Sequence, residues 1–178
     1  KVKLPPNFHI LGTVNTSDQN VNVLDTAFKR RFDFVYVGVE PVLDPKPNAQ
    51  GNQVYFNDCQ FSLGSKSFNW IKFYMSLNEF IVDMLNLPED KQLGQFFIQF
   101  TSDATQNFEF IKNKLLNYLW DDIESASFAE TSLFFVGDDN NSKINSFSKL
   151  YKKFLDTTPA EEIFSEEFLE CYDNYSLN

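Results

Sequence analysis

Between Phe8 and Phe32 the chain reads FHILGTVNTSDQNVNVLDTAFKRRF, an order of residues that few folds accept. Phe8 to Val14 is a nearly unbroken apolar run, as expected of a strand buried on both faces of a parallel sheet. It delivers one polar residue, Asn15, at its tip, and Asn15 to Asn20 is turn chemistry. Asn20 is placed to cap a helix whose apolar positions Val21, Leu24, Ala27 and Phe28 fall at i, i+3, i+6 and i+7. Phe32 to Val37 follows as a second short strand, with Phe34 and Tyr36 on one face and Val35 and Val37 on the other. Two strands joined by a helix form a βαβ unit, which belongs to right-handed α/β sheets.

Lys29, Arg30 and Arg31 close the helix of that unit. They suit its negative dipole end, and cations there need no further function. Arg30 and Arg31 are, however, the only arginines in the chain, every other cation being a lysine. A planar, permanently charged fork is what phosphate and carboxylate recognition uses. The net charge of −10 makes the rest of the chain a poor tracker of phosphate backbones, which requires clustered basic residues. The 21 phenylalanines are read first as a Phe-heavy core, ahead of stacking platforms for bases. His9, the only histidine, is expected at a strand edge rather than in catalysis.

After Glu40 the composition shifts. Pro41, Pro45, Pro47, Asn48 and Gly51 mark a connection out of the sheet, and Val54–Phe56 with Gln60–Leu63 suggests a small hairpin. From Ser67 onward the periodicity is helical. One stripe runs Trp70, Ile71, Tyr74, Leu77, Ile81, Met84, Leu85 and ends at Leu87-Pro88. A second runs Phe108, Ile111, Leu115, Tyr118, Leu119, Ile123. Ser125 to Val136 is expected as a further helix, and Ile144, Phe147, Leu150, Tyr151 and Phe154 form another stripe. Thr158-Pro159-Ala160-Glu161 carries the capping Thr, first-turn Pro and third-position Glu of a helix start. The expected fold class is α/β plus all-α, a sheet fragment followed by a helical bundle. Residues 1–45 would form the α/β part, 46–66 a connector, 67–137 a helical subdomain and 138–178 a helical extension.

The residues also resemble a known family. Gly12-Thr-Val-Asn-Thr-Ser-Asp18 is similar to the GTMNxxD signature of the McrB-type AAA+ GTPases of modification-dependent restriction systems. Leu24-Asp-Thr-Ala-Phe-Lys-Arg-Arg-Phe32 is similar to the LDxALRRRF segment that follows it. Glu89 to Ile98, EDKQLGQFFI, and Asn113 to Asp122, NKLLNYLWDD, resemble the helical lid of that family. Val14 stands where the family has Met, and Phe28-Lys29 where it has Leu-Arg. The resemblance spans roughly residues 8–123. It implies the C-terminal part of an AAA+ α/β sheet followed by a lid bundle. It implies that Asn15 is a sensor 1 residue orienting the attacking water, and that Asp18 holds the signature turn at a subunit boundary. Arg30 and Arg31 would include an arginine finger reaching a neighbouring subunit's site, which makes hydrolysis depend on a ring, typically a hexamer. Lys91 and Gln92 occupy the region where such lids contribute a sensor 2 residue, although neither is an arginine.

Phosphoryl transfer needs cations at the developing charge and a cradle for the phosphates. No GxxxxGK[ST] occurs, since Gly64-Ser-Lys-Ser has the wrong spacing, and no apolar run ending in Asp-Glu precedes Asn15. In the family both motifs lie upstream of the sensor 1 strand. The expectation is therefore a lid half of an NTPase motor that binds no nucleotide by itself. GTP, or ATP, with Mg²⁺ would serve the full-length protein. The resemblance further implies a McrC-like endonuclease partner and DNA handled by parts outside this segment. Two other classes stay open, an AAA+ ATPase remodelling another substrate and a non-enzymatic helical interaction module. Two distant cysteines, Cys59 and Cys171, argue for a reducing, cytoplasmic setting, and no apolar run approaches the ~18 residues of a membrane span.

Overall fold

A β-branched or aromatic run becomes a strand only when a neighbour supplies its ladder bonds and covers its faces. The computed structural model describes residues 5, 7–13, 25–63, 66–135, 143–155 and 163–177. It divides into two compact units, Lys1–Tyr36 and Val37–Asn178. In the first unit, no ladder joins the expected strands among the described residues. Residues 8–13 and 32–37 are without strand pairing, and Leu11 and Val35 are 97% and 84% exposed. The described helix is α1, Thr26–Lys29, capped by Asp25, whose carboxylate accepts from Phe28 N at 2.6 Å. Asn20, expected as the cap, lies outside the described residues.

The second unit opens with a hairpin, though not the expected one. β1, Gln60–Leu63, pairs antiparallel with β2, Lys66–Asn69, placing Phe61 opposite Phe68. Tyr55 forms an isolated bridge to Leu43 instead. The alternation of Phe61, Leu63 and Phe68, all buried, decides that pairing, because it gives the hairpin one apolar face. Helix therefore begins at Trp70 rather than Ser67.

α2, Trp70–Glu79, is capped by Asn69, whose side chain accepts from Lys72 N at 3.0 Å. It continues as a π-helical turn, Phe80–Met84. Asn86, at φ 52°, then takes the left-handed conformation that asparagine tolerates, and the chain leaves the helix ahead of Pro88. The stripe along this helix is buried except at Met84, which is 43% exposed.

α3, Ala104–Phe110, is capped by Asp103, and is followed by a π turn at Ile111–Leu115, α4 at Leu116–Tyr118 and a second π turn at Leu119–Glu124. Ile111, Leu115, Leu119 and Ile123 are all buried, at intervals of four residues. On an α-helix a four-residue step overshoots one turn by about 40°, so such a row would spiral off the core. The looser π turns offset that drift and keep the row on one side.

Ser125–Val136, expected as a helix, is irregular over its described residues. Glu124 takes up the backbone there, accepting from Leu133 N at 2.9 Å and Ser132 Oγ at 2.5 Å, and Phe134 bridges to Phe164. α5 is Phe147–Leu155 and α6 is Glu166–Asn174. Ser165 caps α6, accepting from Phe168 N. The helix start expected at Thr158–Glu161 lies outside the described residues.

The phenylalanines do build a core. Phe61, Phe68, Phe73, Phe164 and Phe168 are at most 6% exposed and meet ring to ring at centroid distances of 4.8–5.8 Å. Offset and edge-on pairs of this kind add about 0.5–1.5 kcal/mol each beyond the area they bury. Val37 to Asp44 belongs with this unit, ahead of the 45/46 boundary expected from composition, because Tyr74 and Gln95 bind its backbone.

Candidate functional site

Two places carry the chemistry that the sequence singles out, one in each unit. In the first unit, α1 is a single helical turn, closed by Arg30 N donating to Thr26 O and Arg31 N to Phe28 O. Phe28 and Phe32 pack ring on ring at 4.9 Å around that turn. The turn thus presents Lys29, Arg30 and Arg31 together, all exposed. Among the described residues neither guanidinium has an ion-pair partner, so both are available to an anion. Asn15 and Asp18 lie outside the described residues.

In the second unit, the Glu89–Ile98 segment is held by buried amides. Pro88 leads into a 3-10 turn at Glu89–Lys91, and Gln92 closes it by donating its N–H to Glu89 O at 3.0 Å. Asn78, 2% exposed on α2, then pairs both ways with Leu93, accepting from its N–H at 2.7 Å and donating to its carbonyl at 2.8 Å. Two residues on, the carbonyl of Gln95 accepts from Trp70 Nε1 at 2.7 Å and Asn57 Nδ2 at 2.8 Å. Asn57 also donates to Ile98 O and accepts from Phe100 N. A loop with no regular ladder keeps one shape because side-chain amides stand in for the missing strand.

That loop is joined to the second resembling segment. Lys91 Nζ pairs with Asp122 Oδ1 at 2.7 Å, and Tyr118 donates its hydroxyl to Lys91 O at 2.9 Å. Lys114 donates to Phe97 O at 2.5 Å and lies 4.6 Å from the Phe97 ring centroid, while Phe97 packs on Tyr118 at 4.8 Å. The structure therefore brings EDKQLGQFFI and NKLLNYLWDD into one assembly. Burial, with Asp122 and Asp90 nearby, pushes the Tyr118 hydroxyl up to about 12. Lys91 is committed to Asp122, so an anion reaching it competes with a carboxylate already in place. Gln92 is half-buried at the end of the turn.

The residues that sequence reasoning missed are Asn57, Asn78 and Gln95. A polar residue inside an apolar pattern carries no periodic signal, and only the fold shows that each faces a backbone needing partners. A cleft of about 250 Å³ is lined by Glu124, Ser127, Ala129, Glu130, Thr131, Ser132 and Lys143, but Glu124 is already engaged by Ser132 and Leu133. Cys59 and Cys171 are free thiols whose pKa burial raises. Among the described residues no three carboxylate, His or Cys side chains converge on one point. No helix among them is long and apolar enough to cross a membrane.

The described chain thus carries an exposed arginine turn in its first unit and an amide-braced helical second unit. No protein-family model matches the chain, and no solved structure matches it. A curated relative does. Over 124 residues the chain is 37% identical to a protein of Bacillus subtilis (strain 168), the Type II restriction enzyme BsuMI component YdiS. The alignment covers 68% of this chain and 33% of that protein, so the chain spans about a third of the length of the relative it matches.

Proposed function

We propose that the chain is part of a restriction system, and within it part of an NTPase motor of the McrB-like AAA+ kind. The observation that carries the first statement is the 37% identity to a restriction enzyme component. The second rests on the residues of the resemblance, and the physical link between Lys91, Tyr118 and Asp122 supports it, since it joins the two lid-like segments in one unit. In this reading GTP, or ATP, and Mg²⁺ are held by residues other than those described. Arg30 and Arg31 supply positive charge to the transferring phosphoryl group of a neighbouring subunit, where such charge lowers the barrier. Asn15 orients the attacking water, and Asp18 braces the turn that carries it. Lys91 and Gln92 lie on the lid. The assembly is a ring, DNA is engaged by other parts of the protein, and an endonuclease subunit cuts.

The test uses the full-length gene product with Mg²⁺ and either GTP or ATP, with and without duplex DNA. Turnover of one nucleotide that rises with protein concentration, as assembly requires, supports the motor. Asn15→Ala should lower turnover more than it weakens nucleotide binding. No hydrolysis of either nucleotide at any concentration would reject the motor and leave the restriction-system assignment standing on the relative alone.

A further inference from the structure

The acidity of the chain conceals one local reversal of sign. Residues 115–142 contain six carboxylates and no lysine or arginine, and residues 154–178 contain seven and again neither. Between them stand Lys143, Lys149, Lys152 and Lys153, with no acidic residue in 143–153. Three of these lysines are on α5. Successive residues of an α-helix are about 100° apart, so Lys149, Lys152 and Lys153 share one arc of about 100°. Leu150 and Phe154 turn another side of the helix to the core, at 0% and 7% exposed, and Phe154 stacks on Phe108 at 4.8 Å. Lys152 is exposed, and Lys149 and Lys153 lie half-buried along the surface. Lys149 Nζ donates to Lys143 O at 3.1 Å, and Lys153 Nζ lies 5.1 Å from the Phe135 ring centroid. Those contacts fix where each ammonium stands, and an ammonium has three donors. Lys143 differs, because it lines the cleft that also holds Glu124 and Glu130. Elsewhere in the second unit Lys66, Lys91 and Lys112 are each paired with a carboxylate.

We propose that Lys149, Lys152 and Lys153 form a contact for the phosphate backbone of duplex DNA on the outward arc of α5. This rests on the restriction-system reading, and it adds a contact to those made by other parts of the protein. Residues three and four apart on a helix have Cβ atoms about 5–6 Å apart, so the three cations act as one cluster. Screening confines a charge to about 10 Å at 0.1 M salt, so the sign of the local surface counts for more than the net charge. Lysine is a point charge rather than a planar fork, and it reads phosphate without reading base sequence. Each phosphate neutralised on duplex DNA releases counterions and contributes about 0.9 to the slope of log affinity against log salt. One lost contact therefore weakens binding about eightfold at 0.1 M salt relative to 1 M.

The experiment is equilibrium binding of the full-length gene product to duplex DNA of several unrelated sequences, between about 0.05 M and 0.2 M salt. Lys149→Gln/Lys152→Gln/Lys153→Gln should lower the salt slope by about 3 and weaken binding about hundredfold or more at 0.1 M salt, equally on every sequence. Arginine at the same three positions keeps the charge and should keep the slope. Lys46→Gln, which removes an exposed lysine of the connector, should change neither slope nor affinity. Should the triple glutamine variant unfold, the exposed Lys152→Gln decides, with a slope lower by about 1. Affinity and slope unchanged in the deciding variant overturn the proposal. So does an equal effect of Lys46→Gln, which would leave only net charge at work. A lowered unfolding midpoint with DNA binding intact would assign the lysines to internal ion pairs, and loss of another subunit with DNA binding intact would assign them to an acidic protein surface. Either result overturns the proposal while the restriction-system reading stands. A wild-type protein that binds no duplex DNA overturns the proposal and takes DNA engagement out of that reading as well.

Discussion

At the scale of single residues, the polar atoms that matter most are the ones with no visible pattern in the sequence. Asn78 sits between the apolar positions of α2 and closes a two-way pair with Leu93. Asn78→Leu removes that pair and leaves a buried N–H and a buried carbonyl unpartnered. The cost should be about 2–4 kcal/mol, measured by urea denaturation. Lys91 and Asp122 are the opposite case. They are legible as charges, but their side chains are 28% and 45% exposed, so Lys91→Ala should cost no more than about 1 kcal/mol in the same assay. Tyr118 gives a pH signature. Its hydroxyl, normally near 10, is held protonated to about 12 in the folded chain. Burial also raises Tyr74, with Tyr175 and Glu40 adding to it. A raised pKa contributes stability that is fully present below pH 10 and is lost as pH climbs through the folded value. Thermal unfolding midpoints should therefore fall between pH 10 and pH 12, and Tyr118→Phe should flatten part of that fall.

At the scale of elements, what was legible was whatever repeats. The stripes from Trp70 to Leu85 and from Phe108 to Ile123 are read directly from apolar spacing, and the structure buries them except at Met84 and Phe108, which are exposed, and Tyr118, which is partly buried. The π turns are not legible, although a strict four-residue interval is the hint a 3.6-residue helix does not explain. Ser125 to Val136, expected as a helix, is irregular over its described residues. Glu124 and the bridge from Phe134 to Phe164 outcompete the helix for that backbone. The hairpin was displaced by one element for a similar reason, since Phe61 and Phe68 gain more as facing partners on a buried surface than either gains beside Tyr55. α6 shows how far the aromatic core reaches. Phe168 meets Phe73, Phe80 and Phe164, so Phe168→Ala should destabilise by about 3–5 kcal/mol, read as a lowered midpoint in denaturant.

At the scale of the whole molecule, arginine falls in a single turn while lysine is spread through both units. The arginines stand in one exposed turn, while the larger unit braces its Glu89–Ile98 segment with amides and one ion pair. The sequence made that turn conspicuous because arginine occurs nowhere else, but packing alone also explains cations at a helix end. Only function separates the two readings. The most direct measurement is nucleotide turnover by the full-length gene product carrying Arg30→Ala or Arg31→Ala, beside its nucleotide affinity. If one of these residues is a finger, that variant should lose turnover by ~10³ or more while binding nucleotide within about twofold of wild type. Turnover unchanged in both variants would contradict the account and return Arg30 and Arg31 to the role of a helix end.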